Sequence, residues 1–209
     1  MKTAMQAAQA GLPMRDVNAL GQVFTPASVV ERMLTLRRNH GRALEPSCGD
    51  GAFFSRIADC VALELDATHC PPGALNLDFF TYPAHEQFAT VIGNPPYVAA
   101  RHILPATRQL LKSRLLDGHA NLYLHFIEKS VRHLAPGGEG WLVLSDIAEH
   151  LGLRTRDELL VMIASAGLTI TSRLNVRPTH RRTSDTSHPL HAARAAEVTS
   201  LWRLDAEDG

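Results

Sequence analysis

Three short stretches carry residues whose types and spacing fit one kind of chemistry. VIGNPPY, residues 91–97, places an amide, two prolines and an aromatic directly after an apolar run. Proline cannot continue a ladder, and the residue before it is driven out of helical space. The strand through Thr90, Val91 and Ile92 must therefore end in a stiff turn at Asn94-Pro95-Pro96-Tyr97. The Asn94 side-chain oxygen and the Pro95 carbonyl can then accept two hydrogen bonds from a planar NH₂ group, with the Tyr97 ring stacked on its plane. Such a site turns the nitrogen lone pair toward an electrophile and stabilises positive charge as the bond forms. Asn94 is neutral and no general base, so the proton leaves after transfer, from a cationic nitrogen.

The second stretch is ALEPSCGDGAFF, residues 43–54. Here a strand ending in Glu45-Pro46 runs into Gly49-Asp50-Gly51, where glycine permits a sharp turn and close approach of backbone to a ligand. Taken alone this is also ordinary strand-to-helix punctuation. An acid, Glu64, closes the next strand, where nucleoside-binding sheets accept hydrogen bonds from ribose hydroxyls. The third stretch is Leu77-Asp78-Phe79-Phe80. Asp78 can accept from an adenine amine with Phe79 on the ring face; the plainer reading is a polar strand end followed by two core phenylalanines.

The elements that must position these residues alternate short apolar strands with helical stretches, the signature of a parallel α/β sheet. A helix is expected over 26–37, with Thr25 as N-cap and Pro26 at its first position. Strands are expected at 42–45, 61–65, 74–78, 90–93, 140–145, 168–176 and 198–204. Further helices are expected at 52–59, 106–116, 121–134 (stopped by APGGEG) and 155–166. The last two strands are joined without a crossover helix, which allows an antiparallel pairing. At 209 residues, 45% hydrophobic and 20% charged, the chain reads as one soluble domain.

In order, GQVFTP (21–26), ALEPSCGDGAFF (43–54), VALELD (61–66), LDFF (77–80), VIGNPPYV (91–98) and NLYLHFIEKSVRHLAPGGEGWLVLS (121–145) resemble the motifs of S-adenosylmethionine-dependent N6-adenine DNA methyltransferases. The order is that of the gamma class found in Type I and Type II restriction–modification systems. The resemblance implies a Rossmann-like class I methyltransferase sheet of about seven strands, the last antiparallel, with helices on both faces. It implies transfer of a methyl group from S-adenosyl-L-methionine to the N6 amine of an adenine flipped out of DNA. Residue by residue, Phe24, Thr25 and Pro26 would border the methionine end of the cofactor, with Glu45, Pro46, Cys48, Gly49 and Gly51 lining the same pocket. Glu64 would hold the ribose, and Asp78 and Phe79 the cofactor adenine. Asn94, Pro95, Pro96 and Tyr97 would hold the target adenine, Asn94 also bordering the cofactor.

The family's C-terminal target-recognition domain has no recognisable counterpart after residue 145. Residues 1–20 read as an N-terminal extension and 21–209 as a single methyltransferase catalytic domain, with a substrate-side excursion at 98–120 and a basic mobile loop at 177–196. Net charge is zero with histidine neutral, which argues against a general polyanion grip, but two local segments are basic. Arg101, Arg108, Lys112, Arg177, Arg181, Arg182 and Arg194 are the candidates for contact with DNA phosphates. DNA is the expected partner, with a separate recognition subunit or a second copy beside it. The same turn would serve an adenine in RNA or a protein glutamine, and a non-catalytic cofactor-binding subunit is the reading from another class. His180, His188 and His191 set no metal geometry, and no metal is expected. Cys48, Cys60 and Cys70 form no close pair, no apolar run reaches the length of a membrane span, and no secretory signal is apparent, all of which fit the cytoplasm.

Overall fold

The computed structural model describes residues 24–113, 116, 118–145, 168–176 and 199–206. Among them seven strands form one sheet. They are β1 (Ala43–Glu45), β2 (Cys60–Glu64), β3 (Leu75–Asn76), β4 (Phe88–Gly93), β5 (Leu134–Ser145), β6 (Leu168–Val176) and β7 (Thr199–Ala206). Their spatial order is β3-β2-β1-β4-β5-β7-β6. Pairings from β3 through β5 are parallel, whereas β7 runs antiparallel to both β5 and β6. The α-helices described are α1 (Ala27–Leu36), α2 (Pro105–Leu110) and α3 (Leu122–Arg132).

Side-chain alternation sends each central strand to two cores. Leu44, Val91 and Leu142 face the cluster built on Tyr123, Phe126 and Ile127 of α3. Their neighbours Ala43, Ile92 and Trp141 face Val29, Val30 and Met33 of α1 on the other side. A fully buried side chain of this size contributes about 1.5–3 kcal/mol, so the two helices clamp the sheet and fix where its strands end. Glu139 secures one end of this clamp. One of its oxygens accepts from the amides of Arg38 and Asn39 just past α1, the other from the Trp141 indole.

Local expectations needed correction in four places. Pro26, not Thr25, is the N-cap of α1; its extended backbone lies outside the helix, and its carbonyl accepts from Val29 and Val30. The helix expected at 52–59 is a single 3₁₀ turn, Phe54–Arg56. Glu45 takes the Phe54 amide, and the Asp59 carbonyl is needed to receive the Ala43 amide, so the chain has no length for further turns. The helix expected at 106–116 stops at Leu110, because Ser113 turns its hydroxyl to Glu128 of α3 instead. APGGEG lies inside β5 as a bulge: Phe88 faces Leu134 but Thr90 faces Glu139, with Gly137 at φ 69°. The helix expected at 155–166 and the loop at 177–196 lie outside the described residues.

His133 closes α3 fully buried among Phe79, Tyr82 and Phe88. Its Nδ1 bonds the Glu86 carbonyl at 2.7 Å, and its Nε2 has no partner. Burial holds its pKa below the ordinary value of 6.5. A pKa depressed on folding means that the unfolded chain binds the proton more readily. The stabilisation from neutral His133 is therefore complete above pH 6.5 and is lost as pH falls through the folded value. Thermal melts between pH 7 and pH 5 should show a falling midpoint, with a shallower fall in His133→Phe; equal slopes would contradict this.

Candidate active site

Strand order reverses between β1 and β4, and the carboxyl ends of β1, β2 and β4 open there on a single cleft. Open α/β sheets take their ligands at such a switch point. Phe24, Gly49, Glu64, Asp78, Asn94 and Pro96 all reach the cleft, although they are spread over more than seventy positions of the chain.

The turn after β1 is held by its neighbours. The Cys48 amide donates to the Leu63 carbonyl of β2 at 2.8 Å, and the Gly51 amide closes the turn on the Cys48 carbonyl. Gly49 at φ 54° and Gly51 at φ 83° adopt left-handed backbone that L side chains rarely take. A Cβ at Gly49 would stand 3.6 Å from the Phe24 ring, which lies over the turn, half exposed, and packs against His69. Glu64 ties the turn to β2, one carboxylate oxygen accepting from the Gly49 amide at 2.8 Å and the other from Asp66 at 2.7 Å. Glu64 also lines the cleft.

Asp78 closes the stretch after β3 and caps the 3₁₀ turn Phe79–Thr81, accepting from the Phe80 amide at 2.9 Å. Phe79 lines the cleft but is 98% buried, its ring packed on Phe126 and His133. Phe80, half-buried, also faces the cleft. Lys129 of α3 holds this loop, donating to the carbonyls of Phe79 and Tyr82 and lying 4.8 Å from the Phe79 ring centre. Burial brings its pKa down to about 8.

The Asn94 turn follows β4 directly. Asn94 and Pro96 line the cleft, and the Ser47 hydroxyl donates to the Asn94 carbonyl at 3.2 Å, joining this turn to the glycine turn. Pro95 is buried; Tyr97 is half-buried, its ring 6.1 Å from that of Tyr123. Asn121 secures the chain beyond. It stands at the N-cap of α3, yet its side chain makes no cap there and accepts instead from the Ala100 amide at 2.8 Å. Removing it leaves a backbone donor without its acceptor, a cost of about 1–3 kcal/mol. Asn121→Ala should lower the urea midpoint accordingly and reduce turnover more than cofactor affinity. An unchanged midpoint and rate would show that Asn121 does not position the turn.

Pro46 joins the cleft lining, whereas Thr25, Pro26, Glu45, Cys48, Gly51, Pro95 and Tyr97 do not. Glu45 is buried behind the wall, and burial raises its carboxyl well above the ordinary value although it accepts from the Phe54 amide. Burial likewise raises the Cys48 thiol, so its contribution is through its backbone. Burial pushes Asp66 upward, but hydrogen bonds from Thr68 and His69 outweigh it and leave its pKa below the ordinary one. Arg101 and Arg108 are exposed and adjoin His102 and Thr107 of the cleft lining, whereas Lys112, also exposed, lines a separate hollow with Lys129 and Arg132. Arg177, Arg181, Arg182 and Arg194 lie outside the described residues, as do His180, His188 and His191. Among the described residues no group of three metal-ligating side chains occurs, and no helix is long and apolar enough to cross a membrane. Ser47, Thr107, Asn121 and Lys129 escaped sequence reasoning, because single polar residues bonded across the fold leave no periodic signal.

The sheet has the architecture of the class I S-adenosylmethionine-dependent methyltransferases. It superposes on a Listeria monocytogenes protein assigned to that class with a TM-score of 0.64 at 17% identity, covering 98% of this chain and 65% of that one. On the modification subunit assigned to a type I restriction enzyme of Vibrio vulnificus the TM-score is 0.65 at 12% identity, covering 100% and 48%. Residues 68–148, which include the Asn94 turn, match the Eco57I restriction-modification methylase family. The chain is similar to the restriction–modification methylases. It is 36% identical over 165 residues to the Type II methyltransferase M.TthHB8I of Thermus thermophilus, 65% of this chain and 39% of that methylase. With M.HincII of Haemophilus influenzae identity is 31% over 136 residues, 58% of this chain and 27% of the relative. The chain thus spans well under half the length of these methylases.

Proposed function

We propose that this chain methylates the exocyclic N6 amine of an adenine flipped out of DNA, with S-adenosyl-L-methionine as donor. The observation that carries the reading is the convergence of Glu64, Asp78 and the Asn94 turn on one cleft at the carboxyl end of the sheet. The residues fit the cofactor. Two carboxylates at neighbouring strand ends suit ribose hydroxyls and an adenine amine, and the side-chain-free backbone at Gly49, roofed by Phe24, suits the methionine end. Bound there, the cofactor would supply an electrophilic methyl group on a sulfonium.

The chain's own residues do the rest. In this reading Asn94, at the cleft, and the Pro95 carbonyl of the same turn would accept from the target amine and turn its lone pair toward the cofactor. Tyr97, which neighbours the cleft residues Pro96 and Val98 without lining the cleft itself, would offer the stacking face. No carboxylate takes the proton, which the cationic nitrogen releases to water. In this reading the exposed Arg101, Arg108 and Lys112 would contact backbone phosphates. The likeness to a type I modification subunit supports a separate recognition subunit as an additional partner. The described cysteines are all unpaired, which suits a cytoplasmic location.

The test is transfer of labelled methyl from S-adenosyl-L-methionine to duplex DNA, single-stranded DNA, RNA and protein, each with the purified chain. Label in DNA is the expected result; label confined to RNA or protein would overturn the substrate assignment while keeping the chemistry.

A further inference from the structure

Asp78 is gripped from two directions. One carboxylate oxygen accepts from the Phe80 amide of its own loop at 2.9 Å. The other accepts at 2.7 Å from the hydroxyl of Thr107, a residue of α2 and 29 positions further on. The carboxyl torsion of an aspartate is broad and roughly two-fold, so a single donor pins one oxygen and leaves the other free to swing. Thr107 supplies the second restraint. It is 95% buried, and its branched Cβ limits χ1. A helical threonine commonly returns its hydroxyl to the preceding turn of its own helix; this one is directed across to Asp78. Asp78, Leu104 and Thr107 share the wall of the cleft, so α2 touches the site at the same place.

We propose that Thr107 is a positioning residue for the Asp78 carboxylate, holding it oriented to accept from the amine of the cofactor's adenine. The excursion at 98–120 is then part of the cofactor site as well as the carrier of the basic residues on its outer face. This rests on the cofactor reading above. A six-residue helix has little stability of its own, and the bond to Asp78 is one of its anchors. The residue that orders the adenine contact therefore also sets the place of Arg108, its neighbour in the chain.

Calorimetry with two ligands tests this: S-adenosylhomocysteine, and S-inosylhomocysteine, which carries a carbonyl oxygen where adenine has its amine. The full-length chain is compared with Thr107→Val, which keeps the shape and removes the donor, and with Thr107→Ser, which keeps the hydroxyl. Thr107→Val should weaken S-adenosylhomocysteine by about 5- to 30-fold, short of the roughly 10- to 150-fold for losing one hydrogen bond to a charged group, because the Asp78 contact is misaimed and not removed. Thr107→Ser should restore most of that loss, and the inosine ligand should bind all three proteins alike. Unchanged adenosine-ligand affinity in Thr107→Val would overturn the proposal. Equal weakening of both ligands would overturn it too, showing a merely structural role. If the unaltered chain binds neither ligand, the cofactor reading itself falls and this inference with it.

Discussion

Asn94→Ala should lower methyl transfer by about 10²- to 10³-fold, the cost of removing one preorganised polar group from a transition-state site, while S-adenosylhomocysteine binds nearly as before. Asn94 stands at the end of β4, between two prolines' worth of rigidity and the Ser47 contact to its carbonyl, so the substitution removes a side chain without releasing the turn. The neutral amide contributes most when positive charge appears on the nitrogen it grips, which places its effect in the rate and not in cofactor affinity. Single-turnover rates and calorimetry on the same preparation separate the two. A variant that turns over normally removes the assignment of the turn; a variant that loses cofactor affinity and rate in proportion moves Asn94 to the cofactor side of the cleft.

Glu64→Ala should do the reverse. The carboxylate, 95% buried, accepts from the amides of Gly49 and Asp66, so it shapes the glycine turn, and it lines the cleft. Hydrogen bonds to a charged group contribute about 1.5–3 kcal/mol each, so the cofactor dissociation constant should rise roughly 10- to 150-fold from the lost ligand contact alone. Glu64→Gln keeps the shape and one acceptor, and it should fall between. Turnover at saturating cofactor should suffer less than affinity. Dissociation constants unchanged in both variants would sink the ribose role.

The parts of this site that were legible in the sequence are those where one residue type has few structural options. Two prolines after an apolar run ended β4 and left Asn94 at a strand terminus. Gly49 and Gly51 marked backbone that the structure places at positive φ. Acids at the ends of apolar runs became Glu64 and Asp78, both at the cleft. What escaped depends on distance across the fold. The residues 52–59 have helical spacing, yet a buried carboxylate on β1 and the pairing of β1 with β2 consume the chain there. APGGEG looks like a helix stop, and only the register against β4 reveals it as a bulge. Thr107, Asn121 and Lys129 act on loops 20 to 50 positions away, and nothing in their own neighbourhoods announces it.

The measurement closest to the central claim is the position of the new methyl group. DNA incubated with the chain and labelled S-adenosyl-L-methionine is digested to nucleosides, which are separated and counted. The proposed function, in which Asn94 holds the target amine beside a cofactor held by Glu64 and Asp78, predicts label in N6-methyldeoxyadenosine. Label in 4-methyl- or 5-methyldeoxycytidine would contradict it, because the cleft would then be holding a different base or attacking through carbon.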